Sequence, residues 1–148
     1  MADLPPILFL HGLATSGSRT WGDNGWIDLV DEAKRESLVI DLPGHGENYA
    51  NSEHATFEKS ISFVEENIHD TPIDGIGFSL GARMLLTIAS RQPKIFRKLV
   101  LSGVGESLFS LDSNRYKSIH KGISGTPDPE DPESSYFHQL AESSDINR

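Results

Sequence analysis

Short apolar runs alternate with amphipathic segments along the first two-thirds of the chain. Four runs, each bounded by glycine or proline, predict buried β-strands within the stretches PILFLHG, SLVIDLPGHG, IDGIGFS and RKLVLSGVG. Apolar residues recur at helical spacing in the three segments between them, which read DNGWIDLVDEAKRE, TFEKSISFVEENI and LGARMLLTIASR. Strands that alternate with helices favour parallel pairing through crossover connections. The pattern therefore predicts an α/β fold with helices on both faces of a parallel sheet.

The helical segments also predict particular faces and ends. Thr56 is expected to be the N-cap of the second helix, and Pro93 to close the third. The face of the first helix that we expect to be buried consists of Trp26, Leu29, Val30 and Ala33. Ligands of such sheets bind beyond the carboxyl ends of the strands. Glycines mark the turns at those ends, at positions 12, 44, 77, 81 and 103.

The chain changes character after Gly105. We expect residues 1–105 to form the core unit, and residues 106–148 to be a polar segment that is either a cap or a disordered tail. Short helices are predicted around Asn114 to His120 and Tyr136 to Glu142. The acidic, proline-containing run PDPEDPE between them predicts a solvated loop.

The amino-acid composition makes some kinds of binding partner and some kinds of chemistry unfavourable for this chain. The 148 residues suffice for one domain, and a net charge of −9 disfavours nucleic acid and anionic membrane surfaces as partners. Without any cysteine, the chain has neither disulfides nor a thiol nucleophile. Its first residues, MADLPPILFLHG, hold no basic leader and only a short apolar run. We therefore expect a cytoplasmic protein with no metal site.

The motif GFSLG places Ser79 between Gly77 and Gly81, where a predicted strand turns into a helix. Such a turn strains the serine backbone and brings helix and strand so close that side chains at the two glycine positions would collide. Gly-x-Ser-x-Gly is the spacing of a nucleophile elbow. The Leu80 amide, at the start of the helix, is placed to stabilise a developing oxyanion.

Two further motifs belong to the same edge of the sheet. After His11 and Gly12, the Leu13 amide is left free as a second oxyanion donor, and His11 is expected to shape this turn rather than act as a base. The motif DLPGHG forms a tight turn after the next strand. Within it, His45 is expected to be a hydrogen-bonding residue of its own turn.

Together and in this order, the three motifs resemble the α/β-hydrolase family, specifically single-domain hydrolases with a helical cap. The resemblance covers about Pro6 to Gly105. It implies that Ser79 is the nucleophile, that the Leu13 and Leu80 amides form the oxyanion hole, and that an ester of a small or medium acid is cleaved without a cofactor. The scaffold also resembles carbon–carbon hydrolases, acyltransferases and lyases.

The family's catalytic acid and histidine follow later strands in the order Ser, acid, His. Of the residues after Ser79, neither His120 nor His138 follows a predicted strand, and Glu106 is expected to be an exposed loop residue. We therefore expect an N-terminal portion of a serine hydrolase that is weak or inactive alone. The alternative is a non-catalytic domain that binds a ligand or partner. The fourth strand is expected to be an exposed edge through which copies self-associate.

Overall fold

A parallel β-sheet lies at the centre of the computed structural model, which describes residues 4–108, 112–144 and 146. Within this part of the chain the sheet has four strands, in the order β2-β1-β3-β4. The strands are β1 (Ile7–Leu10), β2 (Ser37–Ile40), β3 (Ile73–Phe78) and β4 (Phe96–Ser102). The predicted α/β class is confirmed, and β4 forms one edge of the sheet because it pairs with β3 alone.

The helices of the described residues follow the predicted alternation. They are α1 (Trp26–Glu32), α2 (Phe57–Asn67), α3 (Leu80–Arg91), α4 (Ser113–Ile123) and α5 (Pro132–Glu142). A π-helical turn at Ser18–Gly22 precedes α1. Short 3-10 turns occur at Gly46–Asn48, Ser52–His54 and Glu106–Leu108. None of the helices in the part of the chain described has the length and apolarity required to span a membrane.

Alternate residues of β1 supply the two halves of the core. Leu8 and Leu10 pack on one face against α2 and α3, and Ile7 and Phe9 pack on the other face. The first half of the core also holds buried residues of both helices, namely Ile61, Val64, Met84, Leu85 and Ile88. The second half is smaller and includes Val30 of α1. Helices therefore cover both faces of the sheet, as the sequence pattern predicts.

The predicted buried face of the first helix is wrong. Of its residues only Val30 is buried, whereas Trp26 is 45% exposed and Leu29 is 59% exposed. The helix has only seven residues, so it is too short to lay a long apolar stripe on the sheet. Trp26 instead stands edge-on to Trp21, with ring centroids 6.2 Å apart.

Capping residues decide where the other helices begin. The Thr56 side chain accepts a hydrogen bond from the Lys59 N–H, which confirms the predicted N-cap of α2. The predicted loop PDPEDPE is only partly a loop, because its last residues start α5. Asp131 is the N-cap and Pro132 occupies the first turn, where the missing N–H of proline costs no hydrogen bond.

Candidate active site

Ser79 forms the sharp turn between β3 and α3. Its backbone has φ +53° and ψ −109°, a region that residues with a side chain rarely adopt. The Ser79 N–H donates a 2.8 Å hydrogen bond to the Ser102 carbonyl at the end of β4. The turn is thus anchored to the neighbouring strand, and it presents a half-buried serine at the carboxyl edge of the sheet.

Gly77 and Gly81 allow helix and strand to approach this closely. A Cβ on Gly77 would lie 2.7 Å from the Ala82 backbone nitrogen, and a Cβ on Gly81 would lie 2.3 Å from the Leu10 carbonyl oxygen. Both obstacles are backbone atoms, which cannot rotate aside. Gly12 is also close, since a Cβ there would lie 3.5 Å from that of Ser79. The three glycines therefore bring the ends of β1 and β3 together around Ser79.

The backbone amides without an acceptor in the described part of the chain include both of the amides that the sequence predicts as oxyanion donors. These two amides belong to Leu13, in the loop after β1, and to Leu80, the first residue of α3. The neighbouring Gly81 N–H is already used, because it donates a 3.0 Å hydrogen bond to the His11 carbonyl. An open amide at the positive end of a helix suits an oxygen that becomes negative.

A cavity of about 630 Å³ opens beside Ser79. Much of its wall is apolar or aromatic, formed by Leu13, Trp21, Trp26, Ile76, Phe78, Val100, Tyr136, Phe137 and Leu140. Polar side chains of Thr15, Arg19, Thr20, Asn24, Ser102, Arg115 and Glu133 complete the lining. Arg115 and Glu133 form an ion pair of 2.7 Å there. The cavity is therefore shaped for a mainly apolar ligand with a polar group.

His11 lies beneath this site and is fully buried. Its Nε2 accepts a 2.9 Å hydrogen bond from the Leu42 N–H, so the proton of the neutral ring sits on Nδ1 and is donated to the Gly12 carbonyl at 2.7 Å. Burial lowers the pKa of His11 to about 4. The ring is therefore neutral near neutral pH, and its position indicates a role in the turn after β1.

His45 reaches further than its own turn. Its Nδ1 lies 3.1 Å from the Pro43 carbonyl within the turn, as predicted, while its Nε2 accepts a 3.1 Å hydrogen bond from the Ala14 N–H in the loop after β1. Burial lowers the pKa of His45 as well. The sequence analysis did not predict this hydrogen bond between the loop after β2 and the loop after β1. The only sequence signal for it is the histidine of the DLPGHG motif, which lies at the same edge of the sheet as the loop after β1.

Asp41 ties the same two loops together, and sequence reasoning did not single it out. One carboxylate oxygen accepts a 2.6 Å hydrogen bond from the Gly17 N–H, and the other accepts one of 2.9 Å from the Glu47 N–H. A Cβ on Gly46 would lie 2.1 Å from the second oxygen, so this turn requires glycine. Asp41, like the two histidines, therefore holds the loop after β1 against the loop after β2.

The segment after β4 packs directly on the loop after β1. Ala14 is buried in one cluster with Ala141 of α5 and with Ile146. Leu13 and Phe137 pack against this cluster, and α5 also contributes residues to the cavity wall. The helical hairpin α4–α5 therefore borders the cavity, at the place where the sequence predicts a cap.

No side chain in residues 4–108, 112–144 and 146 hydrogen-bonds the Ser79 hydroxyl. His120 is exposed in the last turn of α4, and His138 lies 3.3 Å from the Gly122 carbonyl through its Nδ1. Glu106 is exposed in a 3-10 turn after β4. The candidate site thus brings Ser79, both glycines and the two amides to one edge, without a base among the described residues.

Comparison with known proteins gives a family match for most of the chain. The profile of the alpha/beta hydrolase fold matches residues 5–128. The chain is also similar to an sn-1-specific diacylglycerol lipase, ABHD11, of Danio rerio, with 28% identity over 142 residues. That alignment covers 95% of this chain and 44% of the relative. The chain therefore spans less than half the length of this relative.

Solved structures share the fold. NosK from Streptomyces actuosus superposes with a TM-score of 0.70 at 21% identity, covering 94% of this chain and 59% of that protein. A marine microorganism esterase superposes with a TM-score of 0.64 at 20% identity, covering 97% of this chain and 55% of the esterase. At these identities the likeness concerns the fold.

Proposed function

This chain belongs to the alpha/beta hydrolase fold family, and we propose that it carries the nucleophile and oxyanion hole of a serine hydrolase that cleaves acyl esters. The observation that carries the proposal is the strained turn of Ser79 between two obligatory glycines, at the mouth of a cavity. Strain of this kind persists only where the surrounding structure enforces it, and it concentrates at functional sites.

The proposed reaction has two steps. The Ser79 hydroxyl oxygen attacks the acyl carbon, its proton passes to a general base, and the carbonyl oxygen becomes an oxyanion that accepts hydrogen bonds from the Leu13 and Leu80 amides. The carbon–oxygen bond of the ester then breaks, and the base returns the proton to the departing alcohol. A water molecule attacks the acyl-enzyme in the same way, which releases the acid and restores Ser79.

The base in this family is a histidine on a loop after a later strand, oriented by an acid. Because no base contacts Ser79 among the described residues, we propose that these residues alone give weak turnover. A serine hydroxyl without a base is a poor nucleophile at neutral pH, although an oxyanion hole retains some acceleration over water. The proposed chemistry uses no metal and no cofactor.

The proposed substrate is an ester of a small or medium acid. Support comes from the largely apolar and aromatic lining of the cavity, which suits an acyl chain. The related protein of Danio rerio is named a diacylglycerol lipase, which also concerns acyl esters. We propose the same bond class here, without its particular lipid.

A non-catalytic binding domain is the second candidate. It is favoured by the Ser79 hydroxyl, which lacks a hydrogen-bonded base within the described ranges. A protein of this kind would keep the fold and the cavity and use them to hold a ligand. The two candidates differ in whether Ser79 is chemically activated.

A fluorophosphonate probe separates the candidates, because it reacts only with an activated serine. We would treat the natural gene product that contains this chain, and map the adduct by mass spectrometry. The serine hydrolase predicts one adduct on Ser79, absent in Ser79→Ala. It should persist in Ser90→Ala, a matched variant at an exposed serine of α3 that does not line the cavity. Ligand binding without any adduct would favour the non-catalytic domain.

A further inference from the structure

The imidazoles of the buried His11 and the half-buried His45 contact the peptide groups on either side of Leu13. His11 binds the Gly12 carbonyl, which belongs to the peptide group before Leu13, and His45 binds the Ala14 N–H, which belongs to the peptide group after it. Leu13 itself lies in the wall of the Ser79 cavity. Each peptide plane that defines the backbone of Leu13 is therefore held by one ring.

Peptide geometry fixes the direction in which the Leu13 N–H points. In a trans peptide the N–H points opposite to the C=O of the same plane. The Gly12 carbonyl is drawn toward the buried His11 ring at 2.7 Å, so the Leu13 N–H must point away from that ring. This is the amide that the proposed function assigns to the oxyanion hole.

The peptide plane between Leu13 and Ala14 is followed by an unfavourable backbone conformation at Ala14. Ala14 has φ +59°, a left-handed conformation that costs alanine about 1 kcal/mol or more. Its N–H donates to His45 Nε2, and its side chain is buried beneath Ala141 and Ile146. The His45 backbone also forms an antiparallel bridge with Ile146. The His45 ring, Ala141 and Ile146 together keep Ala14 in this conformation.

We propose that His11 and His45 are a pair of positioning residues that fix the two peptide planes flanking Leu13, so that its N–H is preorganised as an oxyanion donor. This inference rests on the proposed function for its catalytic meaning, but its geometric content stands independently. Both rings must be the neutral tautomer with the proton on Nδ1, because each Nε2 accepts from a backbone N–H. The ring centroids lie 5.2 Å apart, so the two imidazoles are neighbours.

Preorganisation is what distinguishes this role from simple turn stabilisation. Donors already aimed at the developing charge spare the reaction the cost of reorienting them. A ring that only stabilised the fold would affect unfolding, and the reaction of folded protein would be unchanged. A positioning ring affects the rate constant of the chemical step while noncovalent affinity stays the same.

The geometric part is tested by NMR of the chain labelled with ¹⁵N. We expect both rings to show a protonated Nδ1 and an unprotonated Nε2 at neutral pH. We also expect the Ala14 amide to exchange with solvent about tenfold faster in His45→Phe, which keeps a ring but loses the acceptor. His45→Gln keeps an acceptor near the Nε2 position and should restore most of the protection. His69→Phe, at an exposed histidine, is the control.

The catalytic part is tested by the fluorophosphonate reaction of the natural gene product. We expect His45→Phe to lower the maximal rate constant of Ser79 labelling about tenfold to a hundredfold, with the noncovalent affinity unchanged. His45→Gln should recover most of the rate, and His69→Phe should match the unaltered protein. Equal rate constants in all variants would overturn the positioning role.

The two experiments distinguish failure of the proposed geometry from failure of the proposed function. If unaltered protein does not react at Ser79, the proposed function fails, and the NMR measurements still decide the geometry. A proton on Nε2 in either ring, or unchanged exchange of Ala14 in His45→Phe, overturns the inference whatever the activity. Because the tautomers are measured on unaltered protein, the inference stays open to refutation even if His45→Phe does not fold.

Discussion

The Gly81 N–H donates a 3.0 Å hydrogen bond to the carbonyl oxygen of His11. This bond joins the first turn of α3, which follows Ser79, to the loop after β1, which carries Leu13. The proposed nucleophile elbow and the proposed second oxyanion donor are thus connected by backbone atoms alone. A side chain at position 81 would force apart the two loops on which the proposed chemistry depends.

Alanine at position 81 should therefore destabilise the fold. A Cβ there would lie 2.3 Å from the Leu10 carbonyl oxygen and 2.7 Å from that of His11. We expect Gly81→Ala to lower the free energy of unfolding by about 2 kcal/mol or more, measured by urea denaturation. Gly105→Ala is the matched control, because no atom lies within 4 Å of its Cβ position. Equal losses in the two variants would contradict the steric argument.

Asp74 should contribute to stability more than an exposed carboxylate does. It is buried in β3, and its oxygens accept hydrogen bonds of 2.8 Å from Arg97 Nε and from Arg35 Nη2. Removing this charge would leave Arg35 half-buried without its carboxylate. We expect Asp74→Asn to cost about 2 kcal/mol or more in urea denaturation.

The pH dependence of the same group has a definite sign. Hydrogen bonds from Arg97 lower the pKa of Asp74 below its ordinary value of 3.8. Its contribution to stability is therefore complete above about pH 4 and is lost as pH falls through the lowered pKa. Glu58→Gln, which removes an exposed partner of Arg91, serves as the control and should change stability little. An equal effect of both variants would count against the burial argument.

Acid should also destabilise the fold through His11. The folded protein holds this ring neutral with a pKa of about 4, whereas the unfolded chain protonates it near pH 6.5. The unfolded state thus binds the proton first, and the free energy of unfolding should fall between pH 6.5 and about 4, by up to about 3 kcal/mol. Burial opposes protonation here more strongly than nearby Asp41 favours it.

The His11 effect can be isolated with a variant that does not titrate. In His11→Asn the part of the pH slope due to this residue should vanish, although His45 will keep its own share because its pKa is also lowered. Urea denaturation at several pH values measures the slope for both proteins. His69→Asn, at an exposed site, should keep the slope of the unaltered chain. An unchanged slope in His11→Asn would refute the assignment.

Self-association through the edge of β4 is a further prediction. Among the described strands β4 pairs only with β3, and Val100 on it is 55% exposed. Unpaired backbone groups on an apolar edge favour pairing with a second copy. We expect concentration-dependent dimers of the chain in sedimentation velocity, reduced in Val100→Lys. Leu86→Lys, at an exposed leucine of α3, is the control and should still dimerise; a strict monomer at every concentration would refute the prediction.

Ester turnover by the 148-residue chain should be weak and dependent on an added base. With 4-nitrophenyl acetate, imidazole in solution can supply the base that no described residue provides at Ser79, so turnover should rise with imidazole more than the protein-free reaction does. Ser79→Ala should abolish this excess, and Ser90→Ala, at an exposed serine of α3, should keep it. Turnover at ordinary enzyme rates without imidazole, lost in Ser79→Ala, would contradict the expected weakness.

Local features of the fold were predictable because the residues that decide them are close in sequence. Thr56 caps α2 through an N–H three residues away. The glycines on either side of Ser79 indicate a close approach of strand and helix, and this inference needs no information from the rest of the chain. The predicted buried face of α1 was wrong because burial of Leu29 would need another element packed over it. The spacing of apolar residues within α1 does not show whether such an element is present, and Leu29 is in fact exposed.

The sequence by itself determined the α/β class of this protein and the turn at Ser79. It also determined the order along the chain of the three motifs that end at the carboxyl edge of the sheet. Only the tertiary structure decided that His45 reaches Ala14, that Ile146 and α5 pack on the same loop, and that an aromatic cavity opens beside the serine. The reason is physical: strand periodicity and glycine sterics act over a few residues. A hydrogen bond between residues 31 positions apart exists only after the parallel strands have aligned their carboxyl ends.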